Sequence, residues 1–421
     1  MSAPATVALD GAIARTVAVD EPARLLDLLP DPGAWAWVRG GEGLVAWGTA
    51  ARFDPGTGPG RFAAARSRLA ELAGRVEVDD GLGLPGSGLV ALASFSFDDG
   101  GGSVLVVPRT VVGHREGRWW VTTVGRPGDP EVDDPTRALR DPAPVTDHGR
   151  LRYAGSSRSE LAWLDAVARA IAELRAGGEL AKVVLARDRT VWARRPFDPR
   201  LLLRRLAAHY PTCYAFAVDG LVGATPELLV RRAGDEATSL VLAGTAPRGD
   251  DPARDEELGA RLRASAKDVV EHRYAVESVL AALEPVADEA GADPAPWLLR
   301  LANVQHLATG VRARLASPAA DVLDLAARLH PTAAVCGTPT AAAREVITRL
   351  EDLDRARYAG PVGWVDAHGN GELGIALRCA EVDGTRARLF TGAGIMGASL
   401  PEAELEETRL KLRAMQSAIE G

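Results

Sequence analysis

The sequence predicts an α+β fold with mostly antiparallel strands, and three observations carry that expectation. Residues 1 to about 125 are strand-rich, with short β-branched and aromatic runs separated by Gly or Asp clusters. From Ser157 onward, helical periodicity and buried-looking strands interleave. No regular βαβ period connects them, which argues against a doubly wound parallel sheet.

In chain order, strands are expected at 34–38, 44–47, 89–97, 103–107 and 118–124, with one helix over 61–73 in an Ala/Arg/Leu pattern. Trp119 and Trp120 would face opposite sides of a strand, so packing explains them better than ligand stacking. Residues 126–157 are rich in Pro, Asp and Gly without periodicity, the composition of a loop or linker. The chain therefore divides into a strand-rich part at 1–125, a connection at 126–157 and a larger region at 158–421. In that region Ser159 is placed to cap a helix running to Arg175, with Gly177 and Gly178 as its stop. AKVVLARDRT at 181–190 has the Val-Val-Leu core of a buried strand. Further helices are expected at 198–208, 255–283, 319–328 and 340–352, and a strand pair at 361–367 and 372–380.

With 421 residues the chain can bury a large core, and its net charge of −8 without Lys/Arg runs argues against nucleic acid as a partner. An anionic small substrate would then need a locally basic pocket. Cys213, Cys336 and Cys379 are far apart in sequence, which fits a reducing compartment and neither a disulfide framework nor zinc. The N-terminus lacks a basic segment followed by a continuous apolar one, and no run of 18 apolar residues occurs; a cytoplasmic protein outside the membrane is expected.

The chemistry is expected around Thr391 to Lys411, TGAGIMGASLPEAELEETRLK. Gly392 and Gly394 follow an apparent strand, and a glycine turn there would let backbone N–H groups hold an anion. Ser399 is placed to N-cap the next helix with Glu402 as its capping-box partner. Glu404, Glu407 and Lys411 then share one helical face. Carboxylates beside an anion site repel the ligand unless a cation sits between them, which is how Mg²⁺ is commonly held. An ordinary solvated face of Glu–Lys pairs is the competing account.

Five other positions combine polar groups with apolar surroundings. Lys182 opens a buried-looking strand, where burial disfavours an ammonium and can create a general base. Glu227, between Pro226 and two leucines, could be held protonated as a general acid, although a cap or surface position fits the local sequence equally. Glu271, in SAKDVVEH, is either part of a solvated charge cluster or a second metal carboxylate. Arg378, inside an apparent strand, is costly to bury without an anion and suits a carboxylate. His306, alone in VQHLAT, fits a satisfied core histidine as well as a site.

Taken together, KVVLAR (182–187), GATPELL (223–229), LAGTAPRG (242–249), SAKDVVEH (265–272), QHLATG (305–310), LHPTAAVCGTP (329–339), YAGPVGW (358–364), ALRCA (376–380) and GAGI with ELEETRLK resemble the chorismate-utilising enzymes. The match covers roughly 158–415, and within the family it looks most like the isochorismate synthases. The resemblance implies two facing, mostly antiparallel sheets flanked by helices with the site between them. It implies Lys182 as the base that activates water and Glu227 as the acid that protonates the leaving hydroxyl. It assigns Mg²⁺ to Glu271 and Glu407, with Glu404 close by, and chorismate contacts to Gly244, Thr245, His306, Arg378, Gly392 and Lys411. Anthranilate-type relatives lack the lysine found at 182, and aminodeoxychorismate synthases carry a nucleophilic lysine where this chain has Ala243. Salicylate synthase, which adds pyruvate elimination, stays open, as does a catalytically silent chorismate-binding subunit. No organic cofactor and no obligatory amidotransferase subunit are implied, and a monomer is expected.

Overall fold

The computed structural model describes residues 9–421. It is a mixed fold of helices and antiparallel sheet: every strand pairing but one is antiparallel, the exception being Ala12–Val19 with Val76–Asp80. Twenty-one strands join in one hydrogen-bonded network that branches at Val104–Arg115. That strand carries Glu42–Phe53 along one edge, and Val90–Ser94 and Arg118–Gly125 on successive parts of the other.

Two long limbs leave the branch. One passes from Glu42–Phe53 through Trp35–Arg39, Tyr214–Val218, Leu221–Thr225, Cys379–Asp383 and Arg386–Ile395 to Lys182–Ala193. The other passes from Val90–Ser94 through Pro361–Asp366, Gly371–Ile375, Leu228–Ala233 and Glu236–Pro247 to Val304–Leu315. Both limbs thus mix strands from the first 125 residues with strands from the far end of the chain. Long stretches such as Lys182–Ala186 and Pro361–Asp366 are buried on both faces, which explains their unbroken apolar runs. Trp119 and Trp120 are both buried, as packing residues.

Several expectations change. The stretch 126–157 is not a plain loop: it holds short helical turns at Pro130–Asp133 and Pro135–Ala138, and the strand Leu151–Gly155 pairs with Lys182–Ala193. The helix expected over 255–283 is two, Pro252–Ala264 and Ala266–Leu283, because Ser265 turns extended and its hydroxyl accepts from Asp268 N to cap the second. The strands Ala12–Val19 and Val76–Asp80 were not expected. In the last helix, Pro401–Glu420, the N-cap is Leu400 and has no side-chain cap. Ser399 Oγ instead donates to Glu404 Oε1 at 2.6 Å and accepts from Met396 N at 3.0 Å, so there is no capping box.

Candidate active site

Lys182 is the first residue of its strand and its side chain is fully buried. Its position is fixed from both sides, by Gly337–Thr338 on one edge and by the end of Arg386–Ile395 on the other. Nζ lies 3.1 Å from Glu271 Oε1, yet too obliquely for a hydrogen bond, so this buried amine has no aligned acceptor among the described residues. Glu271 is presented by the helix Ala266–Leu283. Burial pushes its carboxyl up, but Lys182, Lys267 and Lys411 outweigh that and hold it below the usual range.

Gly392 and Gly394 do not form an anion-binding turn; both lie within the strand Arg386–Ile395. Two residues apart, they face the same side. A Cβ on Gly394 would run into Glu271 Oε1 and lie 3.1 Å from Lys182 Cε, and one on Gly392 would lie 3.1 Å from the Tyr358 hydroxyl. These glycines make room for the Lys182–Glu271 pair and for the cavity beside it.

That cavity encloses about 50 Å³ and is lined by Glu227, Glu271, His306, Arg378, Lys411 and Tyr358 among others. This is room for a few waters. A larger depression of about 1030 Å³, between Arg52, Asp98, Asp219 and Arg357, contains none of the expected site residues. Glu227 sits in the short link between Leu221–Thr225 and Leu228–Ala233, where the chain passes from one limb to the other. Burial raises its carboxyl to about 7 against the opposing pull of Lys182, Arg378 and Lys411. The same side chain therefore feels three cations and is still largely a neutral acid below that pH.

Gly244 forms a bulge in the pairing of Glu236–Pro247 with Val304–Leu315, at positive φ (+76°). Its carbonyl and the Thr245 hydroxyl each lie 3.2 Å from His306 Nδ1. Arg378 Nη2 donates to His306 Nε2 at 2.9 Å, so the partners imply a neutral imidazole with the proton on Nδ1. Burial, then the Arg378 charge, keeps the ring well below its usual pKa. Arg378 is not inside a strand as expected. It bridges Gly371–Ile375 and Cys379–Asp383 at φ +46°, an uncommon conformation for a side-chain-bearing residue, and is buried. Buried without a carboxylate partner, its guanidinium is available to an anionic ligand.

The helix Pro401–Glu420 brings Glu404, Glu407 and Lys411 to the same region. Lys411 Nζ donates to Glu407 Oε1 at 2.5 Å and to Gly392 O at 3.1 Å. Lys267 Nζ donates to Glu404 Oε1 at 2.6 Å. Among the described residues no three acidic, His or Cys side chains stand together as a ready ligand set, so the expected cluster of Glu271, Glu404 and Glu407 is not assembled. Each carboxylate is instead turned to its own lysine. Their chemistry nevertheless fits a small hard dication: all are oxygen donors, Glu404 is raised by burial and by the charge of Glu407, and Lys267 feels Glu404, Glu271 and Glu407 at once.

Two participants escaped the sequence reading. Lys267 looked like a flank of Glu271, and only the fold sets it against a helix 137 residues away. Tyr358 lines the cavity and stacks on Phe390 at 5.2 Å. The buried Arg355 also reaches the lining, but Glu351, Val335 O and Val184 O occupy its donors, which makes it a strut.

The family model for chorismate binding enzymes matches residues 35–420. Isochorismate synthase DhbC of Bacillus subtilis (strain 168) is 42% identical over 255 residues, which are 58% of this chain and 64% of that relative, just under two thirds of its length. A putative isochorismate synthase MenF of Mycobacterium tuberculosis (strain ATCC 25618 / H37Rv) is 38% identical over 347 residues, 79% of this chain and 87% of the relative. The solved menaquinone-specific isochorismate synthase MenF from Escherichia coli superimposes with a TM-score of 0.79 at 26% identity, covering 100% of this chain and 96% of that one. With nearly its whole length inside the family model, the chain belongs to the chorismate-binding enzymes.

Proposed function

We propose that this chain is an isochorismate synthase, moving the ring hydroxyl of chorismate by attack of water at C2 and departure of the C4 oxygen. The observation that carries the reading is the pairing of types: the buried amine of Lys182 and the buried carboxyl of Glu227, raised to about 7, are suited to opposite proton transfers. The isochorismate synthases among the relatives support it.

In this mechanism Lys182 takes a proton from the attacking water while Glu227 gives one to the departing oxygen. Each such transfer is worth about 10²–10⁴-fold in rate. Arg378, steadied by neutral His306, holds a substrate carboxylate together with Lys411; the backbone of Gly244 and Gly392 and the Thr245 hydroxyl complete the contacts. Glu271 and Glu407 would hold Mg²⁺, with Glu404 alongside. The ion would supply charge neutralisation at the ring carboxylate and draw electrons from the ring. Burial within the cavity excludes bulk water, so that only positioned water competes for C2.

The two limbs are taken to face one another as two sheets with the site between them. Residues 158–421 form the chorismate-binding region, and 1–125 complete the fold. A cytoplasmic monomer needing no amidotransferase subunit completes the proposal. Incubating the purified chain with chorismate and Mg²⁺ and identifying the product tests the activity. Isochorismate is expected; salicylate plus pyruvate would make it a salicylate synthase, and no conversion would make it a silent binding subunit.

A further inference from the structure

We propose that Lys267 is a built-in competitor for the divalent cation: its ammonium neutralises the carboxylates of the metal site until the ion displaces it, and so sets the affinity for that ion. This rests on the reading of Glu271, Glu404 and Glu407 as the cation ligands.

Three lysines stand against three carboxylates here, and they differ in their freedom to leave. Lys182 is wholly enclosed, and Lys411 is tied to a backbone carbonyl as well as to Glu407. Among the described residues Lys267 donates to Glu404 alone, and 28% of its side chain is exposed against 3% of Glu404's. It is therefore the ammonium with an open path to solvent, while the carboxylate it covers stays in place, fixed also by the Ser399 hydroxyl at 2.6 Å. The helix supports the exchange. Lys267 and Glu271 are four residues apart on Ala266–Leu283, so one face presents the cation and one of the carboxylates it must serve. With Nζ 2.6 Å from Glu404 Oε1, the ammonium occupies a carboxylate oxygen that a dication would need. An arriving dication must break that ion pair and repel or expel the ammonium before it gains the carboxylates.

The test is isothermal titration of Mg²⁺ into the full-length protein without substrate, comparing wild type, Lys267→Met and Lys267→Arg. The methionine keeps the aliphatic stem and removes the charge. Lys267→Met is expected to bind Mg²⁺ about tenfold more tightly or better, the scale of one lost charge repulsion at this range. Lys267→Arg is expected to stay near wild type, because the competing charge returns. Thermal melting of the same samples should show a larger Mg²⁺-induced rise for the methionine variant and confirms that it is folded. Unchanged or weaker binding by folded Lys267→Met would overturn the inference, as would equal tightening by Lys267→Arg. If Glu407→Ala left wild-type Mg²⁺ binding unaltered, the assignment of the ligands would fail instead, and the two failures are thereby told apart.

Discussion

Gly394 determines how near the strand Arg386–Ile395 can come to the Lys182–Glu271 pair, since any side chain there would occupy the space of both. Those atoms are ends of flexible side chains, so Gly394→Ala should fold with a melting point within a few degrees of wild type. Displacing the reacting groups by about 1 Å is expected to cost on the order of 10² in kcat; equal loss of stability and activity would contradict this. Lys182→Ala should lower turnover by about 10²–10⁴-fold while chorismate binding stays measurable by calorimetry, because the role proposed for the deleted amine is proton transfer. Glu227 gives a pH signature. Its carboxyl is raised to about 7, so the proton-donating form declines as pH rises through that value, and kcat/KM should fall on the alkaline side with Glu227→Gln removing that limb. For stability the sign is the same: the raised value favours the folded state below the unfolded pKa of about 4.3, and that advantage fades as pH climbs toward 7. At this scale the residue types were legible, but the reason for the glycines was not. A glycine pair after apolar residues suggests a turn, and only the facing helix reveals that it clears space for Glu271.

Among the elements, the break at Ser265 matters because it sets the start of the helix that carries Lys267 and Glu271. Ser265→Ala removes the cap on Asp268 N and should lower stability by about 1 kcal/mol, seen as an earlier urea midpoint with an unchanged slope. Helices with strong local signals were readable directly, as with Arg61–Ala73 and the Ser159-capped Glu160–Arg175. The capping box at Ser399 failed because a buried carboxylate, Glu404, claimed the hydroxyl that local sequence would give to the backbone. Arg378 failed for a related reason. Apolar alternation continues through it, while the positive-φ link that aims its guanidinium leaves no trace in residue type.

Across the whole molecule, the strand-rich first 125 residues are woven into the region after 157: Trp35–Arg39 pairs with Tyr214–Val218, and Val90–Ser94 with Pro361–Asp366. Trp37 is fully buried, donates to Glu372 at 2.8 Å, and packs where a Cβ on Gly374 would meet it. A fragment of residues 126–421 should therefore fail to fold, leaving two central strand edges bare. A soluble fragment with a sharp melting transition would show that the two parts are separable. Local hairpins such as Pro361–Asp366 with Gly371–Ile375 were legible, but the order of the strands could not be read from the sequence, because the pairings that join one hairpin to the next connect segments that no local pattern links.

The strand that carries Lys182 meets its main partner across ten residue pairs, Val183 with Ile395 through Trp192 with Arg386, some two hundred positions later in the chain. During synthesis the amine-bearing strand must then wait, apolar and half unpaired, until residues 386–395 have been translated. Such distant pairings close slowly and leave sticky edges open meanwhile. A nascent chain released by a nonsense codon just before residue 386 would thus expose a long bare edge carrying Val and Leu, a substrate for chaperones and proteases.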